Sequence, residues 1–266
     1  MKMPISQHRL ALQPNAPTDG STTVGHIHSY ETFGTVDGPG IRLIIFMQGC
    51  QWRCKYCHNR DTWDIHGGDI LSVDELMNTI LDYRYYFQVS DGGITVSGGE
   101  PTLQAGFVKE LFNACQHEDI HTCLDTNGFI ENYSTDINEM VAATDLTILD
   151  IKQMDNRRHL ALTKISNKPT LHFAKHLASL NKPVWIRYVV VDGYTSDLES
   201  AHALGRFLQP MKNIQRVELL PYHELGKYKW AAIGEPYELD NIKPPSPTTL
   251  KAIHDVIAEY GLEVRY

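Results

Sequence analysis

Cys50, Cys54 and Cys57 fall within eight consecutive residues, Cys50-Gln51-Trp52-Arg53-Cys54-Lys55-Tyr56-Cys57, and His58 follows directly. Three thiolates from one short loop can hold three corners of a cuboidal iron–sulfur cluster. Because most such clusters use four cysteines, a set of three leaves one iron open to a substrate. Other chemistries fit parts of the pattern. Cys54-x-x-Cys57-His58 matches a c-type haem attachment, which belongs to exported proteins. A Cys3His zinc site is chemically sensible, although structural zinc usually draws on two separated ligand pairs. A redox Cys-x-x-Cys pair would leave Cys50 without a role. Cys115 and Cys123 stand apart and read as small buried apolar residues.

Further polar residues gather at the ends of apolar runs. Ser97-Gly98-Gly99-Glu100-Pro101 offers a glycine pair, Gly98 and Gly99, where backbone can approach a ligand. Asp125 and Thr126 close the run at 122–125, and Asp150-Ile151-Lys152 close the run at 146–151. Arg187 lies inside the apolar run 184–191, where an unpaired guanidinium is costly, so it is expected to meet a carboxylate of the protein or of a ligand. His223 closes the run at 217–221. Asp37 lies in a glycine- and proline-rich turn just ahead of the run that leads into the cysteines.

Those runs define the elements that must position the chemistry. Residues 41–48, 94–97, 122–125, 146–151, 184–191 and 217–221 read as strands. Helices are expected near 73–89, 104–118, 137–143, 170–180, 198–208 and 247–260. Strands apolar on both faces and alternating with helices give an α/β fold with a parallel sheet covered on both sides. Periodicity leaves open whether that sheet is doubly wound or a barrel, complete or partial; both collect ligands at the carboxyl ends of the strands. Residues 1–23 carry three prolines and no periodicity and read as a mobile extension, with 24–266 as a single domain.

Composition narrows the class. The chain has 266 residues, 42% of them hydrophobic, and a net charge of −8, which argues against a nucleic-acid partner held through its phosphates. No apolar run has the length of a membrane span or a signal peptide, so a cytoplasmic protein is expected.

Taken together, the Cys50-x3-Cys54-x2-Cys57 spacing with Tyr56 before the last cysteine, and the glycine pair before Glu100 and Pro101, resemble the radical S-adenosylmethionine superfamily. The stretches 35–42, 48–50, 56–63, 124–128 and 219–227 are more narrowly similar to its glycyl-radical-enzyme activating branch. The resemblance implies a partial (β/α)6 barrel and a 4Fe-4S cluster on Cys50, Cys54 and Cys57. It implies S-adenosylmethionine held by Tyr56, Cys57, His58, Gly99, Asp150, Ile151, Lys152 and His223, and places a monovalent cation by Asp125, Thr126 and Asp150. The activity implied is reductive cleavage of that cofactor to a 5′-deoxyadenosyl radical, which makes a glycyl radical on a partner enzyme, pyruvate formate-lyase. Asp37, His58 and Arg187 are expected to face the incoming glycine loop. A flavodoxin or ferredoxin would supply the electron to a monomer. A radical enzyme acting on a small molecule, and an iron–sulfur or zinc-binding module without catalysis, remain the alternatives.

Overall fold

The computed structural model of the chain describes residues 23–266; the extension expected over 1–23 lies outside the described residues apart from Thr23, whose carbonyl accepts the Val73 N–H at 3.3 Å. Contacts divide the chain into two compact units. One runs to Cys50 and takes in Thr62–Thr126 and Asn132–Leu146; the other comprises Gln51–Asp61, Asn127–Glu131 and Thr147–Tyr266.

In the first unit, β1 (Val24–Gly34) turns into β2 (Arg42–Met47), whose six residues are all buried. Strand β3 (Asp69–Ser72) leads to helices α1 (Val73–Leu81) and α2 (Arg84–Ser90). Then come β4 (Gly93–Gly98), α3 (Ala105–His117), β5 (His121–Thr126) and α4 (Thr135–Ala142). Hydrogen-bonded neighbours run β3-β1-β2-β4-β5. The pairs β2·β4 and β4·β5 are parallel, as expected. Strand β1, however, is antiparallel to β2, and β3 is antiparallel to β1. The sheet is therefore mostly rather than wholly parallel, because the turn after β1 reverses the chain directly, with no crossover helix.

The second unit holds β6 (Leu146–Asp150), α5 (Asn156–Thr163), α6 (Lys168–Ser179), β7 (Val184–Val190) and α7 (Leu198–Leu208). It continues through β8 (Ile214–Pro221), α8 (Lys227–Ala232), α9 (Pro247–Ala258) and the short β9 (Val264–Arg265). Its strands are ordered β6-β7-β8-β9, all parallel. Six strands, β2 and β4 through β8, match the six expected from sequence, and the sheet does not close on itself, in keeping with a partial barrel.

Local chemistry sets the boundaries. Ser72 caps α1 with a reciprocal bond pair to Glu75, and Asp155, Asp197 and Ser246 cap α5, α7 and α9 with their side chains. The helix expected over 73–89 is interrupted: the Tyr83 N–H bonds back only three residues, to the Ile80 carbonyl at 3.0 Å, and a new helix starts at Arg84. No glycine or proline marks that break. Among the described residues, no helix is long and apolar enough to cross a membrane.

Candidate active site

In the first unit, β2 ends at Met47 and delivers Cys50 into a loop, where Gly49 N–H bonds Thr62 O at 2.7 Å and Cys50 N–H bonds Trp63 O at 3.4 Å. The glycine pair braces that exit. A Cβ on Gly99 would lie 2.0 Å from the Gly49 carbonyl oxygen, and the Glu100 N–H donates to the same oxygen at 2.7 Å. Only glycine at 99 lets the two strand ends come this close, so this position has a structural reason of its own beside any cofactor contact. Glu100 is fully buried and accepts hydrogen bonds from Thr102 Oγ1 at 2.7 Å and Thr126 Oγ1 at 2.5 Å. Asp125 accepts one from Ser97 Oγ at 2.7 Å. Asp37 sits at the opposite, amino end of β2 from Cys50. Its carbonyl accepts from Thr95 Oγ1 at 2.5 Å, and that hydroxyl accepts from the fully buried Arg42 Nε at 3.0 Å. Burial pulls the Arg42 guanidinium down to about 10.

In the second unit the rest of the cysteine loop rests on α5. Arg53 and Lys55 donate their backbone N–H groups to Thr163 O and Leu162 O at 3.0 and 3.1 Å, and Trp52 meets His159 edge-on with ring centres 4.9 Å apart. A turn closed by Cys57 N–H to Cys54 O at 3.0 Å presents the two thiols, both half-buried and neither in a disulfide. Burial pushes the Cys54 thiol up to about 12, partly offset by Lys152. Cluster ligation requires the thiolate, and iron supplies the positive charge that stabilises it.

Asp150, Ile151 and Lys152 emerge at the carboxyl end of β6. Lys152 Nζ lies 2.7 Å from Asp150 Oδ2 and 5.5 Å from the centre of the Tyr56 ring. Burial alone would lower the Lys152 pKa, but Asp150 outweighs it and holds the ammonium above its ordinary value. Two polar atoms in this group are buried without a hydrogen-bond partner: the Tyr56 hydroxyl and Asp150 Oδ1. A buried donor–acceptor and a buried carboxylate oxygen left unsatisfied are costly in a finished core, and both fit a site that receives a polar ligand such as an amino acid headgroup.

Arg187 stands in register between Asp150 on β6 and Glu218 on β8. Its guanidinium faces Glu218 at 3.6 Å, so the expected carboxylate is a neighbour in the sheet, a residue the sequence did not single out. His223 follows β8 and stacks on His58 with ring centres 4.4 Å apart, while His58 Nε2 lies 3.1 Å from the His223 carbonyl. Thus the second unit brings together Cys54, Tyr56, Asp150 and Lys152, and separately His58 with His223. Among the described residues, no three His, Cys, Asp or Glu side chains converge on a single metal ion. A cuboidal cluster takes each thiolate on a different iron.

Residues 44–204 match the radical SAM superfamily, so the chain belongs to it. The match covers β2, the cysteine loop and the strands through β7. Within the superfamily, pyruvate formate-lyase 1-activating enzyme of Escherichia coli is 54% identical over 92% of this chain and all of its own length. Pyruvate formate-lyase-activating enzyme of Staphylococcus epidermidis is 46% identical over 85% of this chain and 92% of its own. The pyruvate formate-lyase-activating enzymes are therefore the branch to which this chain belongs. Solved structures agree on the fold. A domain of a pyruvate-formate lyase-activating enzyme from Bacteroides vulgatus superposes with a TM-score of 0.56 at 23% identity, covering 65% of this chain and 98% of its own. A radical SAM methyltransferase from Sphaerobacter thermophilus gives 0.60 at 14% identity, covering 90% of this chain and 72% of its own.

Proposed function

We propose that this chain activates pyruvate formate-lyase by installing a glycyl radical on it. When bound, a 4Fe-4S cluster and S-adenosylmethionine would supply the chemistry: one electron breaks the sulfonium S–C5′ bond to give methionine and a 5′-deoxyadenosyl radical, which takes a hydrogen atom from the partner's glycine and leaves as 5′-deoxyadenosine. What carries the reading to this chain's residues is the pair of buried, unpartnered oxygens on Tyr56 and Asp150 beside Lys152, at the strand end that neighbours Cys54.

Cys50, Cys54 and Cys57 would hold three irons. The Lys152 ammonium, kept charged by Asp150, would meet the cofactor's carboxylate. Asp150 Oδ1 would accept from its ammonium, with Ile151 and the backbone at Gly99 lining the methionyl part and His58 and His223 the remainder. A monovalent cation beside the carboxylate would draw on Asp125, Thr126 and Asp150. Burial of Tyr56 would help exclude water and stray hydrogen donors from the reaction. His58 and Arg187 would orient the glycine loop, a role that the place of Asp37 at the amino end of β2 does not support, and a flavodoxin or ferredoxin would reduce the monomer.

The test is iron content. Purified without oxygen, the protein carries about four irons per chain. Cys54→Ala and Cys57→Ala lose them, whereas Cys115→Ala, altered inside the α3 core, retains them. Zinc in place of iron, or full iron in Cys57→Ala, contradicts the assignment.

A further inference from the structure

Residues 55–61 are gripped from across the second unit by the stretch that follows β8. Trp230 on α8, 3% exposed, donates its indole N–H to the Cys57 carbonyl at 2.9 Å. The neighbouring Lys229, also buried, bonds Asp61 Oδ1 at 2.6 Å. Glu235 takes Arg60 through two hydrogen bonds, one of them from Nε at 2.9 Å, and Glu238 lies 3.0 Å from Lys55. Each pair is of opposite sign: Lys55, Arg60 and Asp61 meet Glu238, Glu235 and Lys229. Packing enforces the approach, since a Cβ on Gly226 would fall 2.6 Å from the His58 Cα.

These contacts differ in weight. The Arg60–Glu235 and Lys55–Glu238 pairs have carboxylates about half exposed and contribute little. The indole bond comes from a buried side chain, and Trp230 is itself held edge-on by Tyr237 with ring centres 5.6 Å apart. An indole N–H has a single proton to donate, and here it goes to the backbone of one of the three loop cysteines.

We infer that residues 226–238 form a clasp on the cysteine loop in which Trp230 and Lys229 are positioning residues. Trp230 fixes the Cys57 peptide directly and Lys229 holds the same loop at Asp61, and together they set the direction of the Cys57 thiolate. The inference rests on the reading of Cys57 as a cluster ligand. Groups that orient a metal ligand from behind tune both retention of the metal and its electronic state, so a contact that served only to stabilise the fold would leave the spectrum of the cluster unmoved.

The test uses the anaerobically prepared holoprotein and Trp230→Phe, which keeps an aromatic ring against Tyr237 and removes the donor. Iron loss to a chelator is timed, and the electron paramagnetic resonance spectrum of the reduced cluster is recorded. The variant is expected to bind its full iron, to lose it roughly five to ten times faster, as one net hydrogen bond predicts, and to show shifted g-values. Lys229→Met should shift both readouts in the same direction, and Lys229→Arg, which keeps the pair with Asp61, should restore them. If the parent protein holds a cluster and both Trp230→Phe and Lys229→Met match it in rate and spectrum, the clasp is overturned while the cluster assignment stands. A parent without iron overturns both.

Discussion

At Lys152 two opposing effects meet: burial favours the neutral amine, and Asp150 at 2.7 Å keeps the charge in place. The result is a cation held ready in a low-dielectric site, where a charge-assisted hydrogen bond is worth roughly 1.5–3 kcal/mol. Lys152→Ala should therefore keep its iron and bind S-adenosylmethionine roughly 10- to 150-fold more weakly by calorimetry. Loss of iron with unchanged cofactor affinity would move Lys152 to the cluster and contradict the assignment. The cysteines, Asp150 and Lys152 were legible in the sequence because each closes or directly follows an apolar run, and a parallel sheet collects such ends. Glu218 was not, because the register that sets it opposite Arg187 appears only when β7 pairs with β8.

Helix α5 is the element whose role was least visible. Its sequence, Asn156–Thr163, has few apolar residues, yet it supplies the floor of the cysteine loop through Leu162, Thr163 and His159. His159 is 1% exposed, with Nδ1 2.7 Å from the Ile165 carbonyl, and burial depresses its pKa to about 4. Between the ordinary histidine value and about 4, the unfolded chain takes up a proton that the folded chain refuses. Stability is therefore fully present above roughly pH 6.5 and is lost as pH falls, by up to about 3 kcal/mol. Melting of the iron-free protein should show this slope between pH 7 and pH 4.5, and His159→Gln should flatten it in part, since burial lowers His121 and His176 as well. An identical slope in the variant would place the acid sensitivity elsewhere. The clasp of α8 on the loop was equally hidden, because Asp61 and Lys229 are 168 residues apart and neither lies in a periodic pattern.

For the whole molecule, the six parallel strands could be read directly because β2, β4 and β6 are apolar on both faces. Strand β1 escaped notice: its burial alternates imperfectly among histidines and a glutamate, and its pairing with β2 shifts register twice. That antiparallel start leaves the candidate site residues in place: Asp125 and Asp150 lie at the carboxyl ends of parallel strands, and Cys50 and His223 just beyond them. The most direct measurement is electron paramagnetic resonance on pyruvate formate-lyase after anaerobic incubation with this protein, reduced, and S-adenosylmethionine. The account predicts a glycyl radical that requires both the protein and the cofactor and that fails to form with Cys54→Ala. Cofactor cleavage that proceeds while pyruvate formate-lyase stays without a radical would contradict it.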